Sequence, residues 1–330
     1  MISKSEDRYL YQNYCLTMCL TALAYISIKK VTPAVELAEG PHWDYKSQSL
    51  YYVNILGKQI LRLDPLTGRV NRVTFPGDEL ISFVIPVQGR KNQLIVGRGL
   101  DVVLLKWDGG RDVTEPSYEV VASLIDRDAD PARQRINDAK CDPRGRLLLG
   151  TMALKSAEGS VEPNRGALYK IGGRSLQAER LMSPVTISNG LAWNARGNVL
   201  YYIDSATYQV WALDYRLATG RLQAADKKRV IFDLKVAGIK GMPDGMTVDD
   251  EGNLWIAVFG GSCLIRKIDL PVPQVTSVAF GGPHLDVLYV TTAREDLTEA
   301  QLLEKPDSGS VYAITGLGVR GRIASDFSLN

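Results

Sequence analysis

Asn189-Gly190-Leu191-Ala192-Trp193, then Val199-Leu200-Tyr201-Tyr202-Ile203-Asp204, then Gln209-Val210-Trp211-Ala212-Leu213 is the stretch on which the fold turns. A polar residue opens a short apolar run, a turn follows, and a second and third apolar run return. Period-two strands bounded by Gly, Asn and Asp describe a small antiparallel sheet. Such a sheet cannot bury both of its faces alone.

The same unit recurs in both directions along the chain. Upstream it reads Glu39-Gly40-Pro41-His42-Trp43-Asp44 with Ser49 to Val53 and Gln59 to Asp64, then Ser82 to Ile85 with Gln93 to Val96 and Val102 to Trp107. Next come Asn137 to Asp142 with Leu147 to Gly150 and Gly166 to Ile171. Downstream it reads Asp244-Gly245-Met246-Thr247-Val248 with Asn253 to Ala257, and finally Thr276 to Phe280 with Val287 to Val290 and Ser310 to Ile314. Copies of about 30–60 residues fit the blades of a propeller, where ring closure stacks each sheet on two neighbours. A β-sandwich also has regularly spaced strands, but the return of one pattern six times favours an all-β, six-bladed β-propeller. The segment Val31 to Leu37 is expected to complete the last blade beside Val311 to Ile314. The fifth copy has room for only one further strand after Cys263. The expected division is an N-terminal extension over 1–30 and a propeller over 31–330.

A chain of 330 residues with 45% hydrophobic and 23% charged residues has an ordinary globular balance and length for a sizeable core. Its net charge of +2 supports neither a nucleic-acid groove nor a membrane-surface patch. Only His42 and His284 are present, and Cys15, Cys19, Cys141 and Cys263 follow no metal-ligand spacing, so a His-based zinc site, a Ser-His-Asp triad and a disulfide framework lack their residues. The apolar run from Cys15 to Ile28 is too short to span a bilayer. Residues 1–24 read either as a cleaved signal peptide, with small Ala22 and Ala24, or as a plain extension, since Glu6 and Asp7 dilute the positive charge before it.

Aligned on the repeat, Glu39, Ser82, Asn137, Asn189, Asp244 and Thr276 occupy equivalent positions where the innermost strand opens onto the axis. Four of them carry a carboxylate or carboxamide. An oxygen set without His or Cys suits a hard divalent cation, Ca²⁺, Mg²⁺ or Mn²⁺; Zn²⁺ also binds oxygen but prefers other donors. Arg135, two residues before Asn137, brings a guanidinium suited to a polyol or an anionic oxygen. Taken singly, Asn189-Gly190 and Asp244-Gly245 are ordinary turn dipeptides; their coincidence in the repeat is what points to a site. Trp43, Trp193 and Trp255 are expected on inner strands as inter-blade packing. A protein-interaction propeller would need no polar axial ring and commonly shows Trp-Asp blade endings, which this chain lacks.

These residues resemble those of the regucalcin (senescence marker protein) and gluconolactonase family. The likeness rests on Glu39 to Asp44, Arg135-Ile136-Asn137-Asp138, Gly150-Thr151-Met152, Ser188 to Trp193, Tyr202-Ile203-Asp204-Ser205 and Pro243-Asp244-Gly245. Val275 to Pro283 and Thr315 to Gly318 look like its animal members, including those of insects and firefly luciferin-regenerating enzyme. The resemblance implies one divalent cation on the axis held by Glu39, Asn189 and Asp244, with Asp244 also a general base. It implies Arg135 and Asn137 as substrate contacts, and metal-dependent hydrolysis of a small-molecule lactone of the gluconolactone type. A non-catalytic calcium-binding regulator is the alternative it leaves open. A cytoplasmic location is implied, or secretion if 1–24 is a signal, with no obligate protein partner. Three departures stand out. Lys155 replaces an acidic residue that several animal members carry after Gly-Thr-Met, which points to an altered or anionic substrate contact. The fifth blade is short by about nine residues, roughly a strand with its turn. Residues 1–30 have no counterpart in the typical cytosolic member.

Overall fold

A computed structural model describes residues 25–125, 129–172, 176–224, 226–261, 263–264 and 268–329. Their strands form six antiparallel sheets. The innermost strands are Ala38–Asp44, Ile81–Pro86, Gln134–Cys141, Ser188–Trp193, Met242–Val248 and Val275–Gly281. Each touches the next around the axis, and the last touches the first, so the sheets close into a propeller ring. We number the blades in that order. Closure buries both faces of the sheets, which is why second strands such as Ser49–Asn54 and Leu147–Ala153 are buried at every position. Aromatic side chains fill the wedges between blades. Trp43 stacks on Tyr289 of blade 6 at 5.4 Å, and Trp255 meets Phe280 edge-on at 5.6 Å. Trp255 stands on the second strand of blade 5, Leu254–Phe259, and not on the inner strand expected for it.

The strand that closes the ring is Ser27–Lys30, paired antiparallel with Tyr312–Thr315. The expected closing segment, Val31 to Leu37, has left the ladder. Pro33 has no N–H to donate there, although Val31 and Val35 still donate to the carbonyls of Val311 and Gly309. Part of the expected 1–30 extension is therefore blade. The candidate signal segment, 1–24, lies outside the described residues. No helix among the described residues is long and apolar enough to cross a membrane.

Among the described residues, five sheets have four or five strands and the sheet at the fifth place has three. Its third strand, Cys263–Leu264, pairs only with Ala257 and Val258. Among the described residues, the shortening expected for this blade falls at its outer edge, away from the axis. Ile268, Leu270 and Val272 belong to the same buried apolar cluster as Trp255 and Ala257. On blade 4 the outer strand Arg229–Asp233 leaves Val230 and Ile231 half-exposed at 50% and 43%.

Every inner strand breaks register at the same place. The shifts fall between Glu39 and His42, Ile81 and Val84, Ile136 and Ala139, Ser188 and Leu191, Pro243 and Met246, and Val275 and Ser277. A bulge places an extra residue on one strand and re-aims its side chains. The Asn189-Gly190 and Asp244-Gly245 pairs lie inside these bulges, within strands, and are not turns. Glycine follows because the next blade is close. A Cβ on Gly190 would lie 2.8 Å from the Asp244 carbonyl oxygen, and one on Gly245 would lie 2.0 Å from the Ser277 hydroxyl oxygen. Gly190→Ala is expected to cost about 1–3 kcal/mol through this overlap with backbone. Urea denaturation checks it; an unchanged midpoint would mean that the inner strands separate freely.

Candidate functional site

The bulges deliver side chains to a cavity of about 230 Å³ at one end of the axis. Glu39 comes from blade 1, Arg135 and Asn137 from blade 3, Asn189 from blade 4 and Asp244 from blade 5, and all border this cavity. Lys155, just beyond the second strand of blade 3, borders it too. Ser82 and Thr276 occupy the matching bulge positions but turn elsewhere. The Ser82 hydroxyl donates to the Ile136 carbonyl at 2.6 Å, and the Thr276 hydroxyl to the Ala38 carbonyl at 2.6 Å. These two buried hydroxyls tie neighbouring inner strands together, which a repeat position alone does not distinguish from facing the axis.

A chain of hydrogen bonds crosses three blades and fixes the polar groups. Arg135 Nη1 donates to Asn137 Oδ1 at 2.6 Å, and Asn137 Nδ2 donates to Asn189 Oδ1 at 3.0 Å and to the Ser188 carbonyl at 2.8 Å. Asn189 Nδ2 donates to Ser205 Oγ at 2.8 Å, and that hydroxyl donates to the Pro243 carbonyl at 2.6 Å. The Asn189 amide is thereby oriented with its oxygen toward Asn137. The motif Tyr202-Ile203-Asp204-Ser205 supplies the support. Tyr202 Oη donates to Ser188 Oγ at 2.6 Å, and the Asp204 carboxylate accepts the backbone N–H groups of Thr186 and Ile187, each at 3.0 Å. The sequence displayed this motif without revealing its task, because its partners sit in the preceding loop and the next blade.

The site concentrates negative charge away from water. Burial, then the charge of Asp138, pushes the Glu39 carboxyl up to about 8, against the Gly40 N–H and Arg135, which pull it down. Asp244 is raised well above the usual carboxylate range by burial first, then by Glu39 and Asp138. Burial lowers Arg135 from its usual value, opposed by Glu295, Glu39 and Asp244. Deeper in, Asp138 is raised and Lys140 lowered, both chiefly by burial, and Lys140 Nζ donates to the Met246 carbonyl at 2.7 Å. Among the described residues, the Glu39 carboxylate accepts only from its neighbour Gly40, and no donor bonds the Asp244 carboxylate. Two such carboxylates beside a fixed carboxamide oxygen fit a hard divalent cation. The third donor is an amide: no cluster of three or more His, Cys, Asp or Glu that would hold a metal occurs among the described residues.

Glu295 and Asp296 are cavity residues that the repeat did not reveal. They follow the second strand of blade 6, Val287–Thr292, where the backbone N–H groups of Arg294 and Glu295 are anchored on the Glu36 carbonyl. Lys155 Nζ bonds Glu295 at 2.6 Å and Asp296 at 3.0 Å, spanning the mouth from blade 3 to blade 6. The cation expected to receive an anionic substrate is already paired with two carboxylates. An acidic pair directly after a blade strand was the available signal.

A closed all-β propeller with buried oxygen donors converging on its axis defines the class of this protein. The sequence matches the model of the SMP-30/gluconolactonase/LRE-like region over residues 37–294, and the chain belongs to that family. It is 36% identical to regucalcin of Pongo abelii over 310 residues, covering 91% of this chain and 97% of that protein. Among solved structures it is similar to a luciferin-regenerating enzyme, with a TM-score of 0.83, 34% identity and coverage of 92% and 100%. It shares its fold with a calcium-binding protein, regucalcin, from Agrobacterium tumefaciens, with a TM-score of 0.78, 24% identity and coverage of 92% and 97%.

The raised Glu39 carboxyl has a consequence for stability. Between 4.5, its ordinary value, and about 8, the folded cation-free protein holds a proton that the unfolded chain has released. Stability from this group is full at low pH and is lost as pH rises through the folded value. The chelated protein is expected to melt at progressively lower temperature from pH 5 to pH 9. A divalent cation, which competes with that proton, is expected to raise the melting temperature more at pH 9 than at pH 6. Melting curves with chelator and with added cation check both signs.

Proposed function

We propose that this protein is a hydrolase that opens a lactone, using one divalent cation held by Glu39, Asn189 and Asp244. The observation that carries the proposal is the meeting of those three oxygen donors in one buried cavity, with Arg135 and Asn137 immediately beside them. When bound, the cation would polarise the acyl carbonyl and stabilise the charge that develops on its oxygen. Asp244, buried and with no donor bonded to its carboxylate among the described residues, accepts a proton from the attacking water. Water oxygen bonds to the acyl carbon, the ring C–O bond breaks, and the ring oxygen takes the proton back as a hydroxyl. The product is the open hydroxy acid. Arg135 and Asn137, locked to each other, orient the ring. The oxygen donors favour Ca²⁺, Mg²⁺ or Mn²⁺, with Zn²⁺ admissible at the same atoms. Family likeness supports a cytoplasmic site of action.

A second reading has its own support. Relatives at this level of identity are named regucalcin, and the Agrobacterium tumefaciens structure is described as a calcium-binding protein. The same donors would then serve affinity for calcium without turnover. The two readings separate in one assay. Lactone hydrolysis by the chelated protein is expected to fall to the spontaneous rate and to return with one of the four cations. Asp244→Asn is expected to lower the restored rate at least about 100-fold. Full activity in Asp244→Asn would remove its role, and tight calcium binding by folded protein without turnover in any cation would establish the regulator.

A further inference from the structure

Beyond the polar floor, the wall of the axial cavity is apolar. Leu37, Ile55, Met152, Ile187, Met242 and Phe259 line it, and they come from the margins of blades 1, 3, 4 and 5. Leu37, Ile55 and Met152 are buried, at 7%, 2% and 4% exposure, so they form a fixed surface. We infer that the cavity takes a lactone bearing an apolar substituent, an alkyl chain or a fused aromatic ring, in preference to a polyhydroxylated sugar lactone. This rests on the hydrolase reading above for the word lactone, and on the cavity alone for the substituent.

The argument is an account of hydrogen-bonding capacity. Each ring hydroxyl of a sugar lactone loses water on entering and needs a partner in the protein; an unpaired buried hydroxyl is penalised. Apart from the Glu39 and Asp244 carboxylates, several polar groups around the cavity are bonded to each other. Both N–H groups of the Asn137 amide are spent on Ser188 and Asn189, and the Ser205 hydroxyl is spent on Pro243. Lys155 gives two of its three N–H groups to Glu295 and Asp296, which leaves one N–H and the second oxygen of each carboxylate at the mouth. Arg135 uses Nη1 within the chain, toward Ile136 and Asn137, and keeps its remaining N–H groups for a ligand. Away from the mouth, this guanidinium serves a carbonyl or ring oxygen, and a sugar hydroxyl held against the apolar wall finds no partner there. An alkyl or aromatic substituent needs none, and each methylene it buries against the wall is worth about fourfold in affinity.

Binding and turnover test this separately. The binding probes are two lactams, which resist hydrolysis: a δ-lactam with a pentyl substituent and gluconolactam, titrated calorimetrically into chelated protein. The pentyl lactam is expected to bind at least about tenfold more tightly. Equal binding, or tighter binding of gluconolactam, overturns the inference. With cation restored, kcat/KM for the pentyl-substituted δ-lactone is expected to exceed that for δ-gluconolactone by at least about tenfold, and the reverse order likewise overturns it. A preference for the pentyl lactam without turnover of either lactone would support the ligand class and sink the hydrolase reading. Ile187→Ser, at a half-buried wall position, is expected to shift the binding ratio toward gluconolactam; an unchanged ratio would show that this wall does not select.

Discussion

The structure depends on one recurring backbone irregularity, the bulge near the start of each inner strand. A regular strand alternates its side chains between the two faces of its sheet, and in a propeller both faces are buried against neighbouring blades. A bulge re-aims the residues it contains, and in blades 3, 4 and 5 it turns Asn137, Asn189 and Asp244 into the axial cavity. Asn137, Asn189 and Asp244 are bulge residues and Glu39 directly precedes one. The glycines after Asn189 and Asp244 belong to the same device, since the bulged strand runs so close to its neighbour that a side chain there meets backbone or hydroxyl.

Convergence has an electrostatic cost. Glu39 and Asp244 are held near one another and near Asp138 in a poorly solvated place, and both are harder to ionise for it. The protein offsets the cost in part with Arg135 and Lys140, which also lose hydration. The strain is concentrated in two carboxylates that share a cavity with a fixed amide oxygen, an arrangement that a divalent cation bound there would relieve. Around that centre the remaining polar groups are tied into a network that spans blades 3, 4 and 5, so the positions of the donors are set by the ring as a whole. The reduced fifth blade is lost at its outer edge, and its inner strand, which carries Asp244, is complete.

Much of this was legible in the residues. The repeated apolar runs showed the propeller, and alignment of the copies brought together Glu39, Asn137, Asn189 and Asp244, which line one cavity. The alignment also picked out Ser82 and Thr276, whose hydroxyls bind neighbouring strands. A short hydroxyl side chain that ties strands together and one that faces a cavity have the same place in a repeat. Trp255 lies one strand further out, and the closing strand a few residues earlier, than the apolar runs suggest, because such runs mark where strands exist more sharply than where they begin. Lys155 was recognisable as unusual, but its meaning was not: its partners, Glu295 and Asp296, lie 140 and 141 residues away.

The residues alone carried the all-β propeller class, the order of the repeats and the oxygen-bearing character of the side chains that border the axial cavity. Period-two apolar runs and the absence of usable His and Cys sets are local properties of a chain. Only the tertiary structure decided which of the equivalent residues face the cavity, that Asn189 is held by Ser205, that the mouth is bridged by Lys155, and that the walls are apolar. Those facts are relations between different blades, and they come into being only when ring closure brings distant segments within hydrogen-bonding distance.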